Sequence, residues 1–187
     1  GYVNMGKLER EDVKEMMESF KDTKAIIFDI RNYPKGTMYH IASYLIPDRR
    51  DFFKVTQPVL DYPGRFKWRD GMQCGNPKNR EYYTGKVILL VNEMTQSHAE
   101  FTTMALQTAD NVVTVGSQTA GADGNVSTLE LGGGIKTSIS GIGIFYPDGT
   151  ETQRKGVKVD VEVYPTIQGL REGRDEVLEK ALELAKS

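Results

Sequence analysis

A serine near the middle of the chain stands where it could act as a nucleophile. Ser97 follows the apolar run 87–91 and a polar break, and a helical spacing that includes Phe101 and Met104 begins after it. The continuous apolar run predicts a strand buried on both faces, as in a parallel sheet. The free N–H groups and the positive dipole end of the following helix would stabilise an oxyanion that forms beside Ser97.

The same position also suits a purely structural role. Ser97 can cap the helix by accepting a hydrogen bond from one of its first N–H groups, with Glu100 as the reciprocal partner in a capping box. Because such caps are common and catalytic serines are rare, these residues alone favour the cap.

The composition is that of an ordinary globular protein and excludes several classes of function. The 187 residues suit one domain with its own core, and the formal net charge of -2 gives no basic surface of the kind that binds nucleic acid. No apolar run is long enough to span a membrane. The single cysteine allows no internal disulfide, two histidines do not indicate a zinc site, and we expect neither a metal nor an organic cofactor.

The chain opens at Gly1 without a methionine. We therefore expect residues 1–187 to be one core domain taken from a longer chain. On that expectation, the lack of a signal peptide carries little information about the compartment.

Strand and helix patterns alternate around Ser97 and predict an α/β fold. Apolar runs predict strands, and amphipathic spacing predicts helices. In chain order these are a strand at 1–5, a helix at 8–20, a strand at 24–30, a helix at 38–45, a strand at 86–91, the helix from 97, strands at 112–115, 126–131, 135–139, 142–146 and 157–163, and a helix at 175–186. The order indicates a mostly parallel sheet with flanking helices and β-hairpins in the C-terminal half.

Residues 46–85 do not follow this alternation. They contain four prolines, the only tryptophan, Trp68, and many charges. We interpret them as a surface excursion, with a pair of edge strands near 51–59 and 65–70 and then a loop.

Two of the predicted strands, 24–30 and 86–91, end in a polar turn that leads into a helix. Because ligands gather at the carboxyl ends of parallel strands, we expect the turn at 33–37 to lie beside Ser97. The glycine-rich segment 116–124 is not a phosphate loop, since it lacks GxxxxGK[ST] and no helical pattern follows it.

Several stretches of the chain resemble the core domain of the S41 peptidases, the C-terminal processing and tricorn-like proteases. The sequence DIRNYPKG at 29–36 is similar to the family's D-L-R-x-N-x-G-G, and VNEMTQSHAE at 91–100 is similar to V-N-x-x-[ST]-A-S-A-S-E. Further on, VGSQTAG at 115–121, PDG at 147–149 and KGVKVD at 155–160 resemble V-G-x-x-T-x-G, P-D-G and x-G-V-x-P-D. The resemblance implies a ClpP/crotonase-like α/β core that follows a PDZ-like or helical upstream region, in an extracytoplasmic bacterial protein.

The resemblance also implies a catalytic site. Ser97 matches the nucleophile, the amide of His98 would be one oxyanion donor, and the turn at Lys35 and Gly36 would supply a second. Two N–H groups that converge from a helix start and a facing turn are what a tetrahedral oxyanion requires.

The chain departs from the family pattern at the general base. Processing proteases use a lysine in T-x-G-K-G, but residues 119–124 contain none, and the family's glutamine a turn later falls near Ser127. A serine–lysine pair is therefore not supported, whereas the tricorn-like branch takes a histidine from upstream of the core. Within the chain, His40 is the alternative base, although a lone histidine in such a helix is more often a packing residue.

An assisting acid would precede the G-V-x-P-D segment, where Glu151 is the nearest carboxylate and Gln153 is also close. Three hypotheses remain open. The first is a serine endopeptidase core that cleaves peptides or proteins with an upstream base. The second is an inactive peptide-binding domain on the same fold. The third, ranked last because the sequence displays no basic or adenine-binding pocket, is a crotonase-like acyl-CoA enzyme.

Overall fold

A five-stranded parallel sheet forms the centre of the protein. The computed structural model describes residues 1–69 and 71–186. The strand order is β1 (Tyr2–Asn4), β2 (Ala25–Asp29), β7 (Lys86–Val91), β8 (Val112–Gly116) and β12 (Val161–Glu162), and each neighbouring pair is parallel. The predicted α/β fold with a mainly parallel sheet is confirmed.

Helices cover both faces of this sheet because alternate side chains of its strands point to opposite sides. On one face, residues such as Phe28 and Leu89 share a core with α1 (Val13–Phe20), α2 (Met38–Leu45) and α3 (His98–Leu106). On the other face, a smaller core contains the side chains Ile27, Ile88, Leu90, Val115, Val177 and Ala181, of which the last two belong to α5 (Glu176–Leu184). The uninterrupted apolar runs of β2 and β7 follow from this double coverage.

Antiparallel strands lie outside the central sheet. A three-stranded sheet has the order β11 (Gly143–Phe145), β4 (Lys54–Pro58) and β5 (Phe66–Arg69). The strands β3 (Arg50–Asp51) and β6 (Gln73–Cys74) pair separately, and β9 (Val126–Leu131) with β10 (Ile135–Ser140) forms the hairpin expected in the C-terminal half. The predicted edge-strand pair in the 46–85 excursion is present as β4 and β5, although Asp70, at its predicted end, lies outside the described residues.

The clearest differences from the sequence prediction are two elements that are shorter than predicted and one helix that was not predicted. α1 begins at Val13 rather than residue 8, because the residues before it form turns such as Asp12 N–H to Glu9 O at 3.2 Å. The predicted strand 157–163 is reduced to β12, since Val157 N–H donates to the Thr119 side chain (3.0 Å) rather than to a neighbouring strand. A short helix that the sequence did not predict, α4 (Ile167–Arg171), precedes α5.

No helix in residues 1–69 or 71–186 is both long enough and apolar enough to cross a membrane.

Candidate active site

Ser97 lies at the N-terminal end of α3 in a backbone conformation that L residues rarely adopt. Its φ is 53° and its ψ is -115°, and it follows the loop that leaves the carboxyl end of β7. A non-glycine residue in such a conformation costs about 1–3 kcal/mol and persists only where its surroundings hold it. Glu100 forms its half of the predicted capping box, since its carboxylate accepts from Ser97 N–H at 3.1 Å.

Buried polar contacts fix the loop before Ser97. Thr95 is fully buried, and its hydroxyl donates to Ile30 O at 2.9 Å and accepts from Asn92 N–H at 3.1 Å. Its carbonyl accepts from Ala120 N–H at 3.0 Å. The loop that carries Ser97 is therefore attached to the end of β2 and to the glycine-rich segment.

Glu100 holds this region together through a fully buried carboxylate. Oε2 accepts from the N–H groups of Ser97 (3.1 Å) and Ala122 (2.9 Å), and Oε1 accepts from the Thr119 hydroxyl (2.6 Å) and Gly121 N–H (2.8 Å). Four donors fill the lone-pair positions of a carboxylate. The Glu100 side chain thus fixes both the strained Ser97 and residues 119–122, which pass beside it.

A cleft of about 840 Å³ opens in front of Ser97. One wall is the start of α3, with Ser97, His98 and Phe101, and the opposite wall is the three-stranded antiparallel sheet. On that sheet, Val55 pairs with both Arg69 and Ile144, so these three neighbouring side chains line the cleft as a row. We call this space the Ser97 cleft; its volume lies within the range of about 300–1,000 Å³ typical of ligand pockets.

Asp123 also lines the Ser97 cleft, and it is the titratable group there whose environment is most unusual. It is 5% exposed, its Oδ1 accepts from Gly124 N–H at 2.7 Å, and its Oδ2 is buried without a hydrogen-bond partner among the described residues. Burial raises the pKa of Asp123 to about 7, against the opposing effect of the Gly124 N–H. A carboxyl group that exchanges its proton near neutral pH therefore faces the serine's cleft.

His98 is positioned by aromatic contacts. Its ring stacks on Phe101 (centroids 5.9 Å apart) and contacts Tyr33 (6.0 Å). Burial lowers the pKa of His98, and its Nε2 is buried without a partner among the described residues. The contact with Tyr33 brings the turn after β2 to the start of α3, as the sequence analysis predicted for residues 33–37.

The turn itself carries the two predicted oxyanion residues. Gly36 has a φ of 73° with open space around its Cα, so the backbone conformation rather than crowding favours glycine there. Lys35 is exposed and forms an ion pair with Glu9. Neither residue is among those that line the Ser97 cleft.

The structure places the two predicted auxiliary residues away from the cleft lining. His40 Nε2 accepts a hydrogen bond from Arg10 Nε at 2.9 Å, which occupies a lone pair that a general base would need. Glu151 forms ion pairs with Arg154 and Lys155. Neither His40 nor Glu151 is in contact with the cleft in front of Ser97.

Gln153, by contrast, reaches the site indirectly. Its side-chain amide donates to the carbonyls of Asp123 (2.7 Å) and Ile142 (2.9 Å), so it positions the segment that carries the Asp123 carboxyl. The sequence analysis singled out Gln153 only as a neighbour of Glu151.

Sequence reasoning missed two functional features. It treated Glu100 only as a capping partner, although three of its four contacts are with residues 119–122. It also gave no role to Asp123. The sequence did contain a signal for Asp123, which is the acidic residue in the glycine-rich segment 116–124. Because that segment has no phosphate-loop motif, its polar residues could have been considered as candidate site residues.

The chain is similar to known proteins over most of its length. A profile of peptidase family S41 matches residues 1–163. No curated protein sequence matches the chain. Among solved structures, a candidate peptidase from Parabacteroides merdae ATCC 43184 superposes with a TM-score of 0.86 and 22% identity, over 100% of this chain and 61% of that one.

Two further structures have the same fold. Mature CPAF, in complex with lactacystin, has a TM-score of 0.76 and 17% identity over 98% of this chain and 50% of its own. The photosystem II D1 C-terminal processing protease has a TM-score of 0.63 and 19% identity, over 89% of this chain and 43% of its own. The chain thus spans less than two thirds of the length of each of these three proteins. From the profile match over most of its length, the chain belongs to peptidase family S41.

Proposed function

We propose that this protein is the core of a serine endopeptidase in which Ser97 attacks the peptide carbonyl. The observation that carries the proposal is the strained conformation of Ser97 between β7 and α3, facing a cleft of about 840 Å³. A strained serine on a strand-to-helix turn is an arrangement that exposes a nucleophilic hydroxyl. The substrate is a peptide or protein segment that lies in the Ser97 cleft.

The oxyanion in this proposal is held by backbone amides. His98 is the first residue of α3, so its N–H is among those that have no acceptor within the helix. The second donor is the Lys35–Gly36 turn, which belongs to the same loop as Tyr33, the residue in contact with His98. Support for this pairing comes from the adjacency of the loop and the helix start.

The general base is proposed to be a histidine from a segment upstream of residues 1–187. Ser97 and a base must be within hydrogen-bond reach of one another. The Arg10 contact disfavours His40 in that role. Glu151, the proposed assisting acid, forms ion pairs and is not among the residues that line the cleft. The upstream region would carry the PDZ-like or helical partner domains, and the location would be extracytoplasmic in a bacterium.

A second function, that of an inactive peptide-binding domain, is favoured by one observation. Ser97 has a structural role at the N-cap position of α3, where its N–H is bound by the Glu100 carboxylate, and a serine without a base is a poor nucleophile at neutral pH. Such a domain would bind peptides equally well with or without the Ser97 hydroxyl.

The experiment that separates these functions is labelling with a fluorophosphonate probe, followed by mapping of the modified residue by mass spectrometry. It uses the longest natural form of the chain and residues 1–187 alone, with Ser97→Ala as the control. We expect modification of Ser97 in the longer form and its loss in residues 1–187. Modification of the short form as well would assign the base to this chain, and no modification in either form would refute the endopeptidase proposal.

A further inference from the structure

A second cavity of about 1020 Å³ adjoins the Ser97 cleft. Four residues line both spaces, namely Phe53, Arg69, Gly71 and Met72. A peptide in an extended conformation advances about 3.3 Å per residue, so a few residues beyond the bond presented to Ser97 would bring it into this second cavity. We call it the basic cavity, for the reason that follows.

The described lining of the basic cavity carries more positive than negative charge. Arg49, Lys54 and Arg69 line it, against the single carboxylate of Asp51. None of these three cations forms an ion pair or a side-chain hydrogen bond with the residues described in 1–69 and 71–186.

Two of the acids that the structure describes, Asp48 and Asp110, pair with another arginine rather than with the cations of this cavity. Arg50, which precedes Asp51, is bound by Asp48 and Asp110, each at 2.6 Å from its guanidinium. The described part of the lining therefore keeps a net positive charge that is available to a ligand.

Two exposed aromatic side chains line the basic cavity beside these charges. Trp68 is 59% exposed, and its ring is held edge-on against Phe145, with centroids 4.8 Å apart. Tyr39 also lines the cavity. Tryptophan, tyrosine and arginine are the residue types enriched among those that contribute most binding energy at protein interfaces.

We propose that the basic cavity binds acidic side chains of the peptide that occupies the Ser97 cleft, and so gives the enzyme a preference for substrates that carry aspartate or glutamate to one side of the cleaved bond. This inference rests on the proposed function, because it assumes that the cleft holds a peptide. Arg69 is central to this inference, because it lines both the Ser97 cleft and the basic cavity and would be the first of the three cations that the bound peptide reaches.

The test measures binding to the Ser97→Ala variant, so it needs no catalysis. The probes are a tryptophan-free peptide with several glutamates and its glutamine-matched twin, followed by anisotropy of a label on the peptide and by emission of Trp68, the only tryptophan in the chain. We expect the glutamate peptide to bind about tenfold more tightly. We also expect that preference to shrink between about 0.1 M and about 1 M salt, where the Debye length falls from about 10 Å to about 3 Å.

Matched variants locate the effect. Arg69→Gln and Lys54→Gln are expected to reduce the affinity for the glutamate peptide several-fold and to leave that of the glutamine peptide unchanged. Arg80→Gln and Lys78→Gln remove the same charges from exposed positions of the same excursion, which line neither cavity, and should change nothing.

Two results would refute the inference directly. Equal affinity for the two peptides would do so, as would an equal loss in the Arg80→Gln and Arg69→Gln variants. Coenzyme A that binds more tightly than the glutamate peptide and changes Trp68 emission would instead indicate a nucleotide ligand. A charge preference that is observed while Ser97 stays unlabelled would leave the inference standing and refute only the endopeptidase proposal.

Discussion

Replacing Glu100 by glutamine should destabilise the protein although the shape of the side chain is preserved. The buried carboxylate accepts four hydrogen bonds, two at each oxygen, and three of the four donors are backbone N–H groups. In glutamine, one of these oxygens becomes an NH₂ group that cannot accept. In either orientation of the amide, at least one backbone N–H then faces another donor.

The magnitude follows from the hydrogen bonds that are lost. A hydrogen bond to a charged group contributes about 1.5–3 kcal/mol. The Thr119 hydroxyl can rotate to accept from the new NH₂ group, whereas the amides of Ser97, Gly121 and Ala122 cannot. One or two lost bonds give an expected decrease in the free energy of unfolding of about 2–5 kcal/mol. We also expect weaker probe labelling at Ser97, because residues 119–122 beside it are no longer held by three hydrogen bonds to this carboxylate.

The assay is urea unfolding followed by circular dichroism, with the slope of the transition checked for constancy. Glu93→Gln is the matched control, since Glu93 is exposed in the loop before Ser97, and it should change stability by less than about 0.5 kcal/mol. If Glu100→Gln costs less than about 1 kcal/mol, the carboxylate does not hold the site and this account of Ser97 is refuted.

Three further changes test other parts of the structure. Because burial raises the pKa of Asp123 to about 7, the folded protein retains a proton that the unfolded chain releases, and its stability therefore falls as the pH rises from about 4 to about 7. Asp123→Asn should remove this loss. Parallel urea titrations should then show the variant to be more stable than the wild type by on the order of 4 kcal/mol at pH 8. Arg31→Lys should lower stability by about 1–3 kcal/mol in thermal unfolding, since an ammonium cannot reproduce the paired contacts of the guanidinium with both Asp29 and Asp175. Gly116→Ala should cost more than about 3 kcal/mol in urea unfolding, because its φ is 140° and a Cβ would lie 1.8 Å from a carbonyl oxygen of the neighbouring strand.

Each of these results has a contrary outcome. Parallel pH profiles for Asp123→Asn and the wild type would show that Asp123 keeps an ordinary pKa. An unchanged midpoint for Arg31→Lys would mean that its ion pairs contribute little. Gly173→Ala is the control for Gly116→Ala, since Gly173 has a positive φ of 69° but open space, and it should cost about 1–2 kcal/mol; equal costs would assign both effects to backbone conformation alone.

The elements that the sequence predicted well are those whose signals are local. Continuous apolar runs placed β2 and β7, and helix α2 has the predicted bounds 38–45. The start of α3 at Ser97 followed from capping chemistry, which depends on residues three apart. These features need no knowledge of the tertiary structure, because the chain's own spacing encodes them.

The features that the sequence did not predict depend on distant contacts. Residues 157–160 have the composition of a strand, yet Val157 and Lys158 donate to the side chains of Thr119 and Tyr146. Similarly, Asp123 becomes unusual only because the fold buries it at 5% exposure beside the Ser97 cleft. Neither outcome can be deduced from periodicity, since both are set by which segment packs alongside.

The capping and catalytic interpretations of Ser97 are compatible once its backbone is considered. An ordinary N-cap residue has an extended conformation with negative φ, and a serine that only capped α3 would have no reason to adopt a φ of 53°. The carboxylate of Glu100 and the buried Thr95 hold that conformation in place. Strain that is maintained by fully buried polar groups fits the nucleophilic role that we propose for Ser97, which lines the cleft.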